Sequence, residues 1–126
     1  MAPRTVLVVD DSSAVRSAVC ELFTRAGDFE VCAEAEDGRD AIAKARWYRP
    51  ALIVTDLSMP LMDGLAETRI LRKIMPDVPI ILFSAHIDSF IEKQAFAAGA
   101  SAVISKSDSA ARLISTAREL LGKIAA

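Results

Sequence analysis

Ala51-Leu52-Ile53-Val54-Thr55-Asp56 sets an unbroken, β-branched-rich apolar run directly against a carboxylate. The run has strand length, and apolar side chains at consecutive positions call for burial on both faces of a sheet. Working outward, the pattern recurs. Thr5–Val9 runs into Asp10 and Asp11, Ile80–Phe83 into Ser84, and Ala102–Ser105 into Lys106. Glu30–Glu34 is the polar exception and is expected at the sheet edge.

Helical patterns fill the gaps. From Ser13, the apolar positions Val15, Val19, Leu22, Phe23 and Ala26 recur at three- and four-residue spacing, and Gly27 follows as a C-terminal stop. Further helices fit Gly38–Arg49 before Pro50, Asp63–Met75 before Pro76, and Ser89–Ala98 before Gly99. A last helix starts near Ser109, with Leu113, Ile114, Ala117, Leu120, Leu121 and Ile124 on one stripe. Strand–helix alternation repeated five times predicts an α/β fold of (βα)5 order: a doubly wound, five-stranded parallel sheet with helices on both faces.

The chain has 126 residues, which is one domain's length and enough to bury about two-thirds of its surface without disulfides. Apolar residues make up 52% and charged residues 25%, a balance that excludes disorder. Fifteen Lys and Arg against 17 Asp and Glu give a net charge of −2, so direct nucleic-acid binding is not expected. The apolar runs fall far short of a membrane span. Met1-Ala2-Pro3-Arg4 leads straight into a strand with no signal peptide, and a cytoplasmic protein is expected. Cys20 and Cys32 lack ligand spacing and read as buried free thiols.

Ligands of open α/β sheets bind beyond the carboxyl ends of the strands. Four of the five strands deliver a chemically capable side chain to that edge: Asp10 and Asp11, Asp56, Ser84, and Lys106. Three crowded carboxylates cannot all stay ionised without counter-charge, and one lysine is insufficient. An all-oxygen ligand set suits Mg2+, or Mn2+ in its place, with open positions for phosphate oxygens. Lys106 then serves as a point charge on the phosphate and the Ser84 hydroxyl bonds another of its oxygens. The chemistry implied is phosphoryl transfer to or from a carboxylate. The adjacent pair Asp10 and Asp11 suits a metal grip. Asp56 is the expected acceptor, and the Ser58 backbone carbonyl in the loop that follows is a further metal ligand.

These residues resemble the receiver domain of bacterial two-component response regulators. The resemblance rests on Val8-Val9-Asp10-Asp11-Ser12, Asp56-Leu57-Ser58-Met59-Pro60-Leu61-Met62-Asp63-Gly64, Ser84-Ala85, Gly99-Ala100 and Lys106, in order and at family-like spacing. It covers residues 4–122 and implies a single, flavodoxin-like receiver domain, akin to a stand-alone chemotaxis regulator. Such a domain takes a phosphoryl group from a histidine kinase or phosphotransfer protein and changes its binding to a downstream protein, through the fourth helix, fifth strand and fifth helix. It catalyses its own phosphorylation and dephosphorylation and is no independent enzyme. By position, Asp56 resembles the phosphorylated aspartate, Asp10 and Asp11 the acidic metal pair, Ser84 the switch hydroxyl, and Lys106 the partnering lysine. Ser58 resembles the backbone metal ligand. Two departures stand out. Val103 occupies a position where the family often carries an aromatic, which implies a signal made by smaller repacking. Ser107 follows the lysine, where proline is frequent.

A receiver fragment of a DNA-binding regulator is the alternative reading. A haloacid-dehalogenase-type phosphatase is disfavoured by Ser58, which stands where that chemistry needs a second Asp. A flavin carrier is disfavoured by Asp10 and Asp11, which repel phosphate. Among the remaining residues, Ser12 or Ser13 reads as a helix cap, Asp63-Gly64 as a helix start, and Pro60 as a loop brace. His86 and Ser58 are candidates for flanking the path of attacking water. Phe96 falls off the apolar stripe of its helix and is expected to be exposed. Trp47 and Tyr48 are expected to pack at a helix end, and Arg69, Arg72 and Lys73 to form a solvated helix face.

Overall fold

A computed structural model describes residues 4–57, 59, 62–85 and 87–125, the last three by backbone alone. The elements alternate as the sequence predicts. They are β1 (Arg4–Val9), α1 (Ser13–Ala26), β2 (Phe29–Ala35), α2 (Gly38–Tyr48), β3 (Leu52–Thr55), α3 (Gly64–Ile74), β4 (Ile80–Ser84), α4 (Ser89–Ala98), β5 (Ala102–Ser105) and α5 (Ala110–Ala125). The sheet order is β2-β1-β3-β4-β5 and every pair is parallel, so the chain is doubly wound.

Period-two alternation along the central strands sorts the core into two layers. Val6 and Val8 of β1, Leu52 and Val54 of β3, and Ile81 of β4 pack with Phe23 of α1 and Leu113 of α5. Leu7, Val9, Ile53 and Ile80 point the other way, against Ala41 and Ala45 of α2 and Leu71 of α3. Leu82 faces Ala95 of α4, with Val103 of β5 partly buried beside them. Thus α1 and α5 cover one face of the sheet, and α2, α3 and α4 the other.

β2 lies at the edge, where the polar run was expected, with Glu30 and Glu34 exposed. The ladder to β1 slips by one residue between Val6 and Leu7, leaving Cys32 unpaired in register. Both cysteines are free and only partly buried, less than the sequence suggested.

The helix boundaries follow their caps. Ser12, Asp37, Asp63 and Asp88 each accept a backbone N–H from the first turn, which satisfies donors that the helix itself leaves unpaired. Gly27 and Gly99 close α1 and α4 in the left-handed region, at φ 86° and 114°. Two expectations are corrected. Trp47 and Tyr48 do not pack: Trp47 is 83% exposed, because its position two residues past the buried Ala45 points it away from the sheet. Arg72 is not on a solvated face. Its guanidinium donates to the carbonyls of Gly99, Pro76 and Val78 at 2.7–3.0 Å and ties α3 to the turns before β4 and β5.

Candidate functional site

The sheet register assembles the site. Asp56 N–H donates to the Val9 carbonyl at 3.0 Å, which sets Asp56 beside Asp10 at the ends of neighbouring strands. Lys106 N–H donates to the Ser84 carbonyl at 2.9 Å, which brings those two together in the same way. Asp10, Asp56 and Ser84 are all buried, and Asp11 is exposed at the rim.

Lys106 reaches from β5 across to β1. Its Nζ donates to Asp10 Oδ2 at 2.8 Å and lies 3.4 Å from Asp56 Oδ2. The other Asp10 oxygen accepts the Ser12 N–H at 2.9 Å, and Asp56 Oδ1 accepts the Leu57 N–H at 2.8 Å. Burial, with the charge of Asp10 added, raises the Asp56 carboxyl above its ordinary range despite Lys106. Burial pulls the Lys106 ammonium down, but the Asp10 hydrogen bond and the two carboxylate charges outweigh it and leave it raised. One cation therefore holds two buried carboxylates.

Asp10, Asp11 and Asp56 each present a carboxylate oxygen, and these oxygens lie within 4.8 Å of one another. Three hard anionic donors around one point, with a single ammonium to balance them, fit a small divalent cation that binds oxygen. The donor set therefore suits Mg2+ or Mn2+ and offers nothing for a soft metal.

Two supporting residues, Arg16 and Glu67, carry no reading from the sequence, and a third, Gly64, is expected there only as a helix start. Arg16 donates to the Asp10 carbonyl at 2.7 Å and to Glu34, which steadies the β1 end. Gly64 leaves room for Asp56: a Cβ there would lie 2.2 Å from the Asp56 carbonyl oxygen. Its N–H donates to the Leu57 carbonyl at 2.8 Å, so α3 starts against the backbone that follows Asp56. Glu67 is fully buried one layer below, and the Thr55 hydroxyl donates to it at 2.7 Å. Burial pushes the Glu67 carboxyl up to about 8, so it is largely neutral at pH 7. Its spacing with Thr68 and Leu71 on the inward face of α3 was the available signal.

The structure thus brings Asp10, Asp11, Asp56, Ser84 and Lys106 to one strand edge, as the sequence indicated. Ser58, Pro60 and His86 lie outside the described residues. Ser12 and Asp63 are helix caps, and Phe96 is exposed. Among the described residues, no helix is long and apolar enough to cross a membrane.

Comparison with known proteins adds an independent line. The profile of the response regulator receiver domain matches residues 6–118. A protein-glutamate methylesterase/protein-glutamine glutaminase of Archaeoglobus fulgidus is 39% identical over 94% of this chain, which spans 34% of that protein. The chemotaxis protein CheY of Thermotoga maritima is 33% identical over 96% of this chain and 97% of its own length. The crystal structure of a LuxR-family two-component response regulator from an Aurantimonas species superposes with a TM-score of 0.92 at 31% identity, over 97% of this chain and 87% of that one. The chain spans 22% to 34% of the length of three such methylesterases that it matches.

Proposed function

The chain belongs to the response regulator receiver domain family of two-component systems, and on that premise we propose that Asp56 accepts a phosphoryl group from a histidine kinase or phosphotransfer protein and that this changes the binding of a downstream protein. The receiver domain is taken to span residues 4–122 of a cytoplasmic protein. The observation that carries the assignment is the Lys106 ammonium placed between two buried carboxylates, Asp10 and Asp56, with Asp11 within metal-sharing distance.

In the proposed step an Asp56 carboxylate oxygen attacks phosphorus as the phosphorus–nitrogen bond of a phosphohistidine breaks. The bonding pair leaves with the imidazole nitrogen, which takes up a proton, and an acyl phosphate remains on Asp56. Asp10, Asp11, Asp56 and the Ser58 carbonyl would hold Mg2+, or Mn2+, which would supply charge neutralisation for the phosphoryl oxygens. Lys106 moves its ammonium from the carboxylates to a phosphoryl oxygen, and the buried Ser84 hydroxyl bonds another. Through Asp56, Lys106 and Ser84 the domain catalyses only its own phosphorylation and dephosphorylation, with no independent substrate in this reading. Val103, partly buried with Leu82 and Ala95, is small enough that the signal runs through modest repacking under α4. The exposed Phe90 and Phe96 of α4 supply apolar anchors for a downstream partner on the α4–β5–α5 face.

A second reading is favoured by the relatives in which the matched region is a minor part of a longer protein. There the domain is the receiver of a multidomain regulator, such as a DNA-binding transcription factor, and its partner face contacts an attached module.

The test is intact-protein mass after incubation with Mg2+ and acetyl phosphate, for wild type beside Asp56→Asn. One added phosphoryl group in wild type alone, lost with chelator, supports the assignment. An adduct of equal yield in Asp56→Asn refutes the choice of acceptor.

A further inference from the structure

The face of the molecule that the phosphoryl chemistry leaves unused is the outer surface of α2 and α3. Tryptophan is highly buried on average, and large apolar groups left in water mark interaction surfaces. Here Trp47 is 83% exposed, Tyr48 48% and Ile74 36%, all at the C-terminal ends of these two helices. Arg49-Pro50 after α2, Ile74 at the end of α3 and Met75–Val78 after it line a shared cleft of about 230 Å3 at the same end.

The charge around this patch is one-sided. Residues 38–49 and 64–74 hold seven of the chain's 15 cations and two of its 17 acids. Of those two acids, Asp40 is paired with Lys44 and Glu67 is buried inside α3. Arg46, Arg49 and Lys73 are exposed and make no ion pair with a described residue. In a chain of net charge −2 this is segregation of charge, and Asp77 in the turn after α3 is the acid that shares this end.

We infer that the C-terminal half of the α2–α3 outer surface is a docking site for an acidic, apolar-bearing segment of a partner protein, with Trp47 as its anchor and Arg46, Arg49 and Lys73 as its counter-charges. Tryptophan, tyrosine and arginine are the side chains enriched where interfaces concentrate their binding energy. The patch is short. An 11-residue helix is about 16 Å long, and the opposite ends of α2 and α3 carry Asp37, Asp40 and Asp63. A nucleic-acid duplex or an anionic bilayer would overrun the cations and meet those carboxylates, whereas a short acidic segment stays within the basic half. A two-fold contact with a second copy would set the same cations against each other. The site lies on different helices from the α4–β5–α5 face and is present without phosphorylation.

Trp47 is the only tryptophan in the chain, so its emission reports on this patch alone. A short tryptophan-free peptide of alternating Glu and Leu is titrated into the protein at low and at physiological salt. A saturable blue shift is expected, with the apparent affinity falling about tenfold as screening shortens the reach of the charges. The double variant Arg46→Glu, Lys73→Glu changes only exposed side chains and is expected to keep the wild-type far-ultraviolet circular dichroism while losing the shift. Absence of a shift in wild type, or an equal shift in the double variant, overturns the inference. So does a larger response to duplex DNA, to phosphatidylserine vesicles, or to protein concentration alone, which would give the patch to nucleic acid, membrane or a second copy.

Discussion

Replacing Gly64 with alanine tests how tightly α3 is pressed onto the end of β3. The added methyl would stand 2.2 Å from the Asp56 carbonyl oxygen, 2.9 Å from Leu57 Cα and 3.0 Å from the Asp56 carbonyl carbon. All three are backbone atoms, and the Asp56 backbone is fixed by its bond to Val9, so no rotamer change relieves the overlap. Overpacking of this kind costs about 1–3 kcal/mol. The helix preference of alanine over glycine returns about 0.5–1 kcal/mol. The net expectation is a loss of about 1–2 kcal/mol, or roughly 4–8 °C in Tm for a domain of this size. The displaced carbonyl belongs to the proposed acceptor itself, so labelling by acetyl phosphate is expected to slow at least about tenfold. Gly122→Ala in α5 is the control. Nothing lies within 4 Å of the Cβ it would add, so only the propensity gain of about 0.5–1 kcal/mol remains. Urea and thermal melts of both variants give the answer. Equal Tm changes, or Gly64→Ala at the wild-type Tm, would refute the steric reasoning.

Three further expectations concern the charged groups. The folded chain holds the Glu67 proton up to about pH 8 while the unfolded chain releases it near 4.5, so stability falls as pH rises through that window. Glu67→Gln should match wild type near pH 5 and exceed it by on the order of a few kcal/mol near pH 9 in urea midpoints, and a pH-independent difference would contradict the neutral carboxyl. Lys106→Met removes the ammonium that competes with a metal for Asp10 and Asp56. Calorimetry should show Mg2+ binding tightened about fivefold or more while acetyl phosphate labelling collapses, and weaker Mg2+ binding would argue against this balance. Arg72→Lys cannot reproduce a planar fork that serves three carbonyls, so it should cost about 2–4 kcal/mol, nearly as much as Arg72→Ala. A wild-type Tm for Arg72→Lys would show that the fork geometry is dispensable.

Most of the architecture was legible because it is written locally. The β-branched runs, the caps at Ser12 and Asp63 and the stops at Gly27 and Gly99 are short-range signals, and the acids and the lysine follow their strands directly. In a parallel sheet that alone brings them to one edge. The misreadings have a common origin in non-local geometry. Arg72 sits beside Lys73 in sequence, yet its carbonyl partners come from turns that only the folded sheet brings near. The sequence suggests helix-end packing for Trp47 and Tyr48, but the inward face of α2 is set by Ala41 and Ala45, which leaves Trp47 pointing to solvent. Glu67 gives no sign of its role in the sequence, because a glutamate in an amphipathic helix ordinarily belongs outside; its burial is visible only with Thr55 placed against it.

The two outer strands bear on how the molecule can meet other proteins. An open sheet edge is a template for strand addition and aggregation. On β2 that edge carries outward Glu30 and Glu34 and is kinked where the ladder to β1 slips at Cys32. On the other side β5 is four residues long, too short to offer a row of backbone donors and acceptors. Neither rim invites a β-strand from outside. Association is left to the helical shell, where surfaces meet by side chain and release by side chain, without the slow exchange of backbone hydrogen bonds.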